Sequence, residues 1–357
     1  MARHKLSLDI NYVSDWDVQA AIRELFQNAI DHGSWSFSVQ GSSLKIISYD
    51  TSLELSTLLL GYSKKNNNQA IGKYGEGFKL ASLVLKRLGY WVEIHNGNDF
   101  WVPKLIDSRT YKTKQLVFDV MHNYFEIAQP LTFIVNGLSS EDLHTMYERN
   151  LHLEPKVAWQ STSKGVILND RPGQIFIGGL YVATLQDFVY GYNFKPDAIS
   201  IDRDRRIVRD FDVAWLTAQM WKETTEYEIV NKLIVDKAPD VKDLTYFTYG
   251  LDAGFADIAA SVFISEHGED ALPVSSNSEL AKAQEENYQK IVLVEPVQKE
   301  FITRSILYTT PPPPKPIKTP RERLMEFKIE YWPQLLSEEV CEALDTLIEE
   351  AESWRKL

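Results

Sequence analysis

The sequence predicts an α/β fold, and three of its features carry that prediction. Apolar residues recur every three or four positions over Asp17–His32 and Glu76–Leu88, the period of an amphipathic helix. Short apolar-rich runs such as Leu44–Ser48, Gln115–Asp119 and Leu131–Val135 lie between such segments, bounded by turn residues as strands are. The chain has 357 residues, 44% hydrophobic and 12% aromatic, enough to bury more than one core at roughly 100–200 residues per domain.

In chain order, Met1 to about Ser14 reads as a short extended arm. Asp15 or Asp17 caps a helix that runs to about His32 and stops at Gly33. Ser36–Val39 and Leu44–Ser48 are two short strands around Gly41-Ser42, and Leu53–Leu60 is a short helix. The polar stretch Gly61–Tyr74 reads as a mobile loop, and Glu76–Leu88 as a second helix. Tyr90–Asp107 and Gln115–Asp119 are strands of one sheet, Leu131–Val135 is another strand, and a helix starts near Ser140.

A second unit starts near Gly165. Val166–Leu168, Gln174–Ile177 and Tyr181–Thr184 are its strands, and a helix near Ala214–Val235 follows the charged string Asp202–Arg206. From Asp240 to about Leu307 helix and strand patterns alternate, with Lys290–Val294 the clearest strand. Four consecutive prolines make Thr309–Pro320 a stiff extended linker. The tail from Arg321 is helical with an interruption at Trp332-Pro333, and Leu336, Val340, Leu344, Leu347, Ala351 and Trp354 form a short heptad-like seam. These breaks divide the chain into 1–160, 165–235, 236–308, a linker 309–320 and a helical tail 321–357.

Composition excludes several classes. The net charge of −12 argues against wrapping nucleic acid with the whole surface, although Lys64-Lys65 and Lys86-Arg87 are local basic candidates. The single cysteine, Cys341, forms no internal disulfide, and the histidines show no metal-ligand spacing with it. No apolar run reaches the roughly 20 residues of a membrane span, and Met1–Tyr12 has no signal-like apolar stretch, so a cytoplasmic protein without membrane contact is expected.

Three features carry chemistry. Glu24, Asn28 and Asp31 share one face of the first helix, while Ile22, Leu25, Phe26, Ala29 and Ile30 spread over the other side. An asparagine oxygen can ligate Mg²⁺, which keeps waters and borrows phosphate oxygens, and a glutamate can take a proton from an attacking water. Taken alone, the stripe is equally an ordinary amphipathic helix. The second feature is Gly72-Lys73-Tyr74-Gly75-Glu76-Gly77-Phe78-Lys79, whose glycines let backbone N–H groups approach an anion at a helix start. It is neither a Walker A loop nor the dinucleotide fingerprint, and alone it is equally a helix-entry turn. The third is Asp50, at the end of a strand, where a carboxylate can accept an adenine amino group or simply form a turn.

The order of these features resembles the GHKL ATPases: gyrase, the ATP-dependent heat-shock chaperone, histidine kinases and MutL. Arg23-Glu24-Leu25-Phe26-Gln27-Asn28-Ala29-Ile30-Asp31 resembles their N-box. Ile71–Lys79 resembles the lid of the chaperone, MutL and MORC branches, and Gly61-Tyr62-Ser63-Lys64-Lys65 the segment ahead of that lid in MORC-type proteins. The resemblance is densest at 20–85.

It implies a Bergerat-type α/β sandwich over 1–160, then a smaller α/β transducer-like domain, a mixed α/β unit and the helical tail. It further implies slow ATP hydrolysis with Mg²⁺ as a conformational switch, in an ATP-dependent homodimer acting on an unidentified protein client. Glu24 would be the general base, Asn28 the Mg²⁺ ligand, Asp31 a support acting through waters, and Asp50 the adenine partner. Ser63, Lys64, Gly72, Tyr74, Gly75, Glu76, Gly77 and Phe78 would line the phosphates, with Lys79 as a charge partner. One of Lys195, Arg203, Arg205 and Arg206 would sense the γ-phosphate from the transducer, unless they form a surface salt-bridge ladder. The family's D-x-G-x-G is here Asp50-Thr51-Ser52-Leu53-Glu54, so adenine-side geometry is open. Two alternatives stand beside the ATPase: a scaffold that binds nucleotide without turnover, and a MutL- or MORC-like nucleic-acid factor.

Overall fold

A computed structural model describes residues 1–59, 76–110, 112–154, 160–199, 210–247, 250–314, 318–335 and 337–351, with backbone alone at 210–212 and 332–335. Its contacts divide the chain into two compact units, Met1–Leu251 and Asp252–Leu357.

The first unit is mixed α/β around a large antiparallel sheet. Strands β1 (Ala2–Asp9), β2 (Trp35–Gln40), β3 (Ser43–Ser48), β4 (Trp91–Gly97), β5 (Asp99–Ser108), β6 (Thr113–Met121) and β7 (Gln129–Asn136) take the order β1-β6-β5-β4-β7-β3-β2. The N-terminal arm is therefore an edge strand, with Ala2 opposite Val120 and Lys5 opposite Val117. Period-2 alternation sends Leu44 and Ile46, Val92 and Ile94, Phe118 and Val120, and Phe133 and Val135 to one face. That face meets α1 (Val18–Asp31), α2 (Gly77–Arg87) and α3 (Ser140–Glu148) in one buried cluster. A fully buried Leu, Ile or Phe contributes about 1.5–3 kcal/mol, so this cluster dominates the unit's stability. The opposite face carries Arg3, Lys45, Glu93, Lys104 and Asp119.

The helix ends follow local chemistry. The Asp17 carboxylate accepts the Ala20 N–H at 2.8 Å as the N-cap of α1, and Gly33 at φ 102° turns the chain out of it. At the far end of α2, Arg87 donates to the carbonyls of Ile10, Tyr12, Val13 and Trp16, tying the loop between β1 and α1 to this helix.

A second sheet in the same unit comprises β8 (Gln160–Ser161), β9 (Gly165–Leu168), β10 (Gln174–Ile177), β11 (Leu180–Thr184) and β12 (Gly191–Phe194), in the order β11-β10-β12-β9-β8. The helix expected over Ala214–Val235 is two, α4 (Asp210–Lys222) and α5 (Tyr227–Val235). Thr224 breaks it, its hydroxyl donating to the Trp221 carbonyl and closing a turn. The 3-10 helix Pro239–Phe247 packs on α4 and α5, so the unit continues past Val235 to Leu251. Its Asp240 is buried, accepting from the Tyr192 hydroxyl at 2.6 Å and the N–H groups of Val189 and Tyr190. Trp221 Nε1 donates in turn to the Tyr192 oxygen. Burial pushes the Asp240 carboxyl above, and the Tyr192 hydroxyl well above, their usual ranges.

The second unit holds α6 (Ala253–His267), β13 (Leu272–Val274), α7 (Asn277–Glu285), β14 (Ile291–Leu293) and α8 (Pro296–Arg304), with β13 and β14 parallel. Helices α9 (Pro320–Leu335) and α10 (Glu338–Glu350) end it. Two expectations are corrected here. Helix α9 runs through Trp332-Pro333 to Leu335, so the chain leaves the helix just after the proline rather than at it. In α10 the buried residues are Leu344, Ile348 and Ala351, while Val340 and Leu347 are exposed, so the buried face is rotated from the expected seam. Leu336 and Trp354 have no described side chain.

Candidate active site

The site is built on the packing of α1 against α2. Glu24 and Asn28 lie one turn apart on α1, and Gly77 opens α2 directly opposite them. A Cβ placed on Gly77 would stand 2.5 Å from Glu24 Oε2 and 3.1 Å from Asn28 Nδ2. Two motifs separated by about fifty residues thus meet at a glycine, and only a residue without a side chain keeps the carboxylate and the amide where they are. Glu24 is 0% exposed, and its Oε1 accepts from Arg23 Nη1 at 3.1 Å. Arg23 is 12% exposed, so the pair lies almost wholly out of water, where a charge-assisted bond holds the carboxylate's orientation. Asn28 and Asp31 are half-buried on the same stripe.

The lid residues divide. Ser63, Lys64, Gly72, Tyr74 and Gly75 lie outside the described residues, as do Arg203, Arg205 and Arg206. Glu76 is buried at the start of α2, its carbonyl accepting the N–H groups of Lys79 and Leu80. Phe78 enters the core between Phe118 and Phe133, which leaves only its main chain for a ligand. Lys79 is fully buried. Its ammonium donates to the carbonyls of Thr57 at 2.8 Å and Leu59 at 2.6 Å, at the end of the 3-10 helix Leu55–Leu58. Burial lowers its pKa, opposed by the nearby Glu76 carboxylate. In this arrangement Lys79 ties the end of the 3-10 helix to α2.

Asp50 follows β3, and its Oδ2 accepts the Ser34 N–H at 3.0 Å. Hydrogen bonding from Ser34, its hydroxyl first and its N–H second, holds the Asp50 pKa below the usual range. Beyond it, Asn96 of β4 grips the Leu53 backbone twice, Nδ2 donating to the carbonyl and Oδ1 accepting the N–H, both at 2.8 Å. Asn96 thus fixes the path of the segment that follows Asp50. It escaped the sequence reading, yet the parity of β4 signals it: Asn96 continues the inward row of Val92 and Ile94.

Lys195 follows β12. Its N–H donates to the Lys164 carbonyl, and its exposed ammonium makes no hydrogen bond or ion pair among the described residues. The basic candidates Lys86 and Arg87 are engaged locally. Lys86 donates to the Tyr90 carbonyl and lies 5.0 Å over the Trp91 ring, and Arg87 is held by its four carbonyls.

A pocket of about 240 Å³ opens beside the first half of α1, with Trp16, Arg23, Glu24, Arg149 and Tyr181 in its wall. Glu24 therefore borders both this pocket and the start of α2.

No protein-family model matches the chain. It is similar to an uncharacterised protein of Mycoplasma pneumoniae, 26% identical over 249 residues that cover 61% of this chain and 99% of that protein.

Proposed function

We propose that this chain binds and hydrolyses ATP as a conformational switch of the GHKL class, with a Bergerat-type sandwich as its ATPase domain. The observation that carries this reading is the meeting of Gly77 with Glu24 and Asn28. It joins a buried carboxylate, a carboxamide and a bare helix start in one place. Asn28 would hold Mg²⁺, which supplies charge neutralisation on the phosphates when bound. The Asn28 carboxamide, beside the Glu24 carboxylate, carries the hard oxygen donor that such a cation takes, its Oδ1 rather than the Nδ2 that stands nearest Gly77. Glu24, oriented by Arg23, would take the proton of the attacking water, and the N–H groups at the start of α2 would receive phosphate oxygens. The sheet with all three helices on one face supports the sandwich reading. Phosphate release from Mg-ATP by the wild type, abolished in Glu24→Ala with nucleotide binding retained, is the expected result. Equal release by both proteins removes Glu24 from the reaction.

A nucleotide-binding scaffold without turnover is the second reading, favoured by Asp50. Its carboxylate already accepts the Ser34 N–H, and no glycine follows it to widen the adenine side. Nucleotide binding without phosphate release by the wild type would select it. A nucleic-acid role draws less support, since Lys86 and Arg87 are spent on backbone carbonyls.

A further inference from the structure

We propose that the hairpin of α9 and α10 is a docking surface for a basic amphipathic helix of a partner protein, which lies along α10 as a third helix. The surface belongs to the second unit and needs no nucleotide.

Among the described residues, α9 and α10 pack appreciably on each other and on no other element. Lys328 of α9 pairs with Asp345 of α10, and Leu344, Ile348 and Ala351 are buried. This contact uses only part of the apolar arc of α10. Val340, Ala343 and Leu347 stand one position before the inward row Cys341, Leu344 and Ile348, so they form a second stripe about 100° round the helix. That stripe is open to water, with Val340 47% and Leu347 42% exposed. In an antiparallel hairpin, the positions that precede the contact rows lie on one common side of both helices. Phe327, which precedes Lys328, therefore shares the side of the stripe, and it is 50% exposed. Its ring packs on Tyr331 one turn further along α9, with centroids 4.8 Å apart. Apolar rows left open on two neighbouring helices form a groove of the kind that takes the apolar face of a third.

Charge selects the occupant. Helix α10 carries Glu338, Glu339, Glu342, Asp345, Glu349 and Glu350 and no basic residue, whereas α9 is balanced, with Arg321, Arg323 and Lys328 against Glu322, Glu326 and Glu330. Glu339 and Glu342 directly precede Val340 and Ala343, and both are exposed, so carboxylates border the open edge of the stripe. A helix that lays leucine-like side chains on the stripe and lysines or arginines on this border meets both surfaces at once. A second copy of the hairpin would bring the same carboxylates to that border, and like charge disfavours it.

Fluorescence anisotropy of labelled peptides with the full-length protein, without nucleotide, tests the surface. The first peptide is an amphipathic helix of about 18 residues, long enough to span α10, with leucines on one face and lysines on the other. The second has the same composition in scrambled order, and the third has glutamate in place of every lysine. The first should bind, and the other two should bind at least about tenfold more weakly. The double substitution Val340→Gln and Leu347→Gln should weaken the first peptide about tenfold or more, with an unchanged melting temperature. Glu342→Lys should weaken it as well, and more at low ionic strength than at physiological salt. No binding of the first peptide, equal binding of the scrambled one, or equal binding by the Val340→Gln, Leu347→Gln protein overturns the proposal. Sedimentation without nucleotide gives one further outcome. A dimeric wild type beside a monomeric double variant would assign the surface to a second copy and overturn the proposal too.

Discussion

Gly77 is the residue on which structure and chemistry separate most cleanly. It stands at the first position of α2, where alanine gains less over glycine than the about 1 kcal/mol it gains in a helix interior. The same methyl would sit 2.5 Å from Glu24 Oε2, a carboxylate that is fully buried and held by Arg23. The carboxylate must then move, and a displacement of about 1 Å at a reacting group can cost on the order of a hundredfold in rate. Gly77→Ala should therefore keep its melting temperature within about 4 °C of the wild type, the shift expected for about 1 kcal/mol, while ATP turnover falls about tenfold or more. Turnover equal to wild type would show that the catalytic geometry does not depend on this contact. The Glu24–Asn28 stripe and Gly77 were legible from spacing, because helical periodicity puts polar residues on a common face. The roles of Lys79 and Arg23 were not. A lysine after a glycine-rich turn reads as an exposed cation, and only the tertiary placement of the Thr57 and Leu59 carbonyls shows that it is buried.

At the scale of elements, the first two helices were read more sharply than the N-terminal edge strand. Both α1 and α2 carry apolar stripes and end next to Gly33 and Gly89, so their limits follow from local chemistry. The edge strand β1 reads as a mixed arm, since its inward pair Leu6 and Leu8 comes after the charged run Arg3-His4-Lys5. That run has a partner only in the folded sheet. Asp119 of β6 lies 2.6 Å from Arg3 of β1 and 3.0 Å from Lys104 of β5, stapling three strands. The Arg3 hydrogen bond, helped by Lys104, holds the Asp119 carboxyl down at about 2. A depressed folded pKa means that the stabilisation is complete above the unfolded carboxylate range and is lost as pH falls from about 4 towards 2. Urea midpoints measured between pH 6 and pH 3 should fall less steeply in Asp119→Asn than in the wild type, starting from a lower value. Parallel curves would show that the staple does not set the acid response. Glu279, held at about 2 by Lys299 and Ser275, titrates in the same window, so Glu279→Gln is the matched control in the second unit.

For the molecule as a whole, the remaining expectation is association on ATP binding. The net charge of −12 makes two copies repel, and a repulsion of this kind is screened within about 8–10 Å at physiological ionic strength. Any dimer must therefore draw on a surface whose contacts exceed that repulsion, and in the proposed switch nucleotide bound at the start of α2 would create it. Lys79 of α2 holds the Thr57 and Leu59 carbonyls, so a shift at the start of α2 would also reach the end of the 3-10 helix. Sedimentation of the full chain with Mg²⁺ and a non-hydrolysable ATP analogue should give a doubled mass, and without nucleotide a single one. Raising ionic strength from about 0.01 M to about 0.15 M should strengthen the nucleotide-dependent dimer, because screening removes the like-charge term. An unchanged mass with bound analogue would separate nucleotide binding from association, and weakening of the dimer by salt would mean that ion pairs between the copies outweigh their net repulsion.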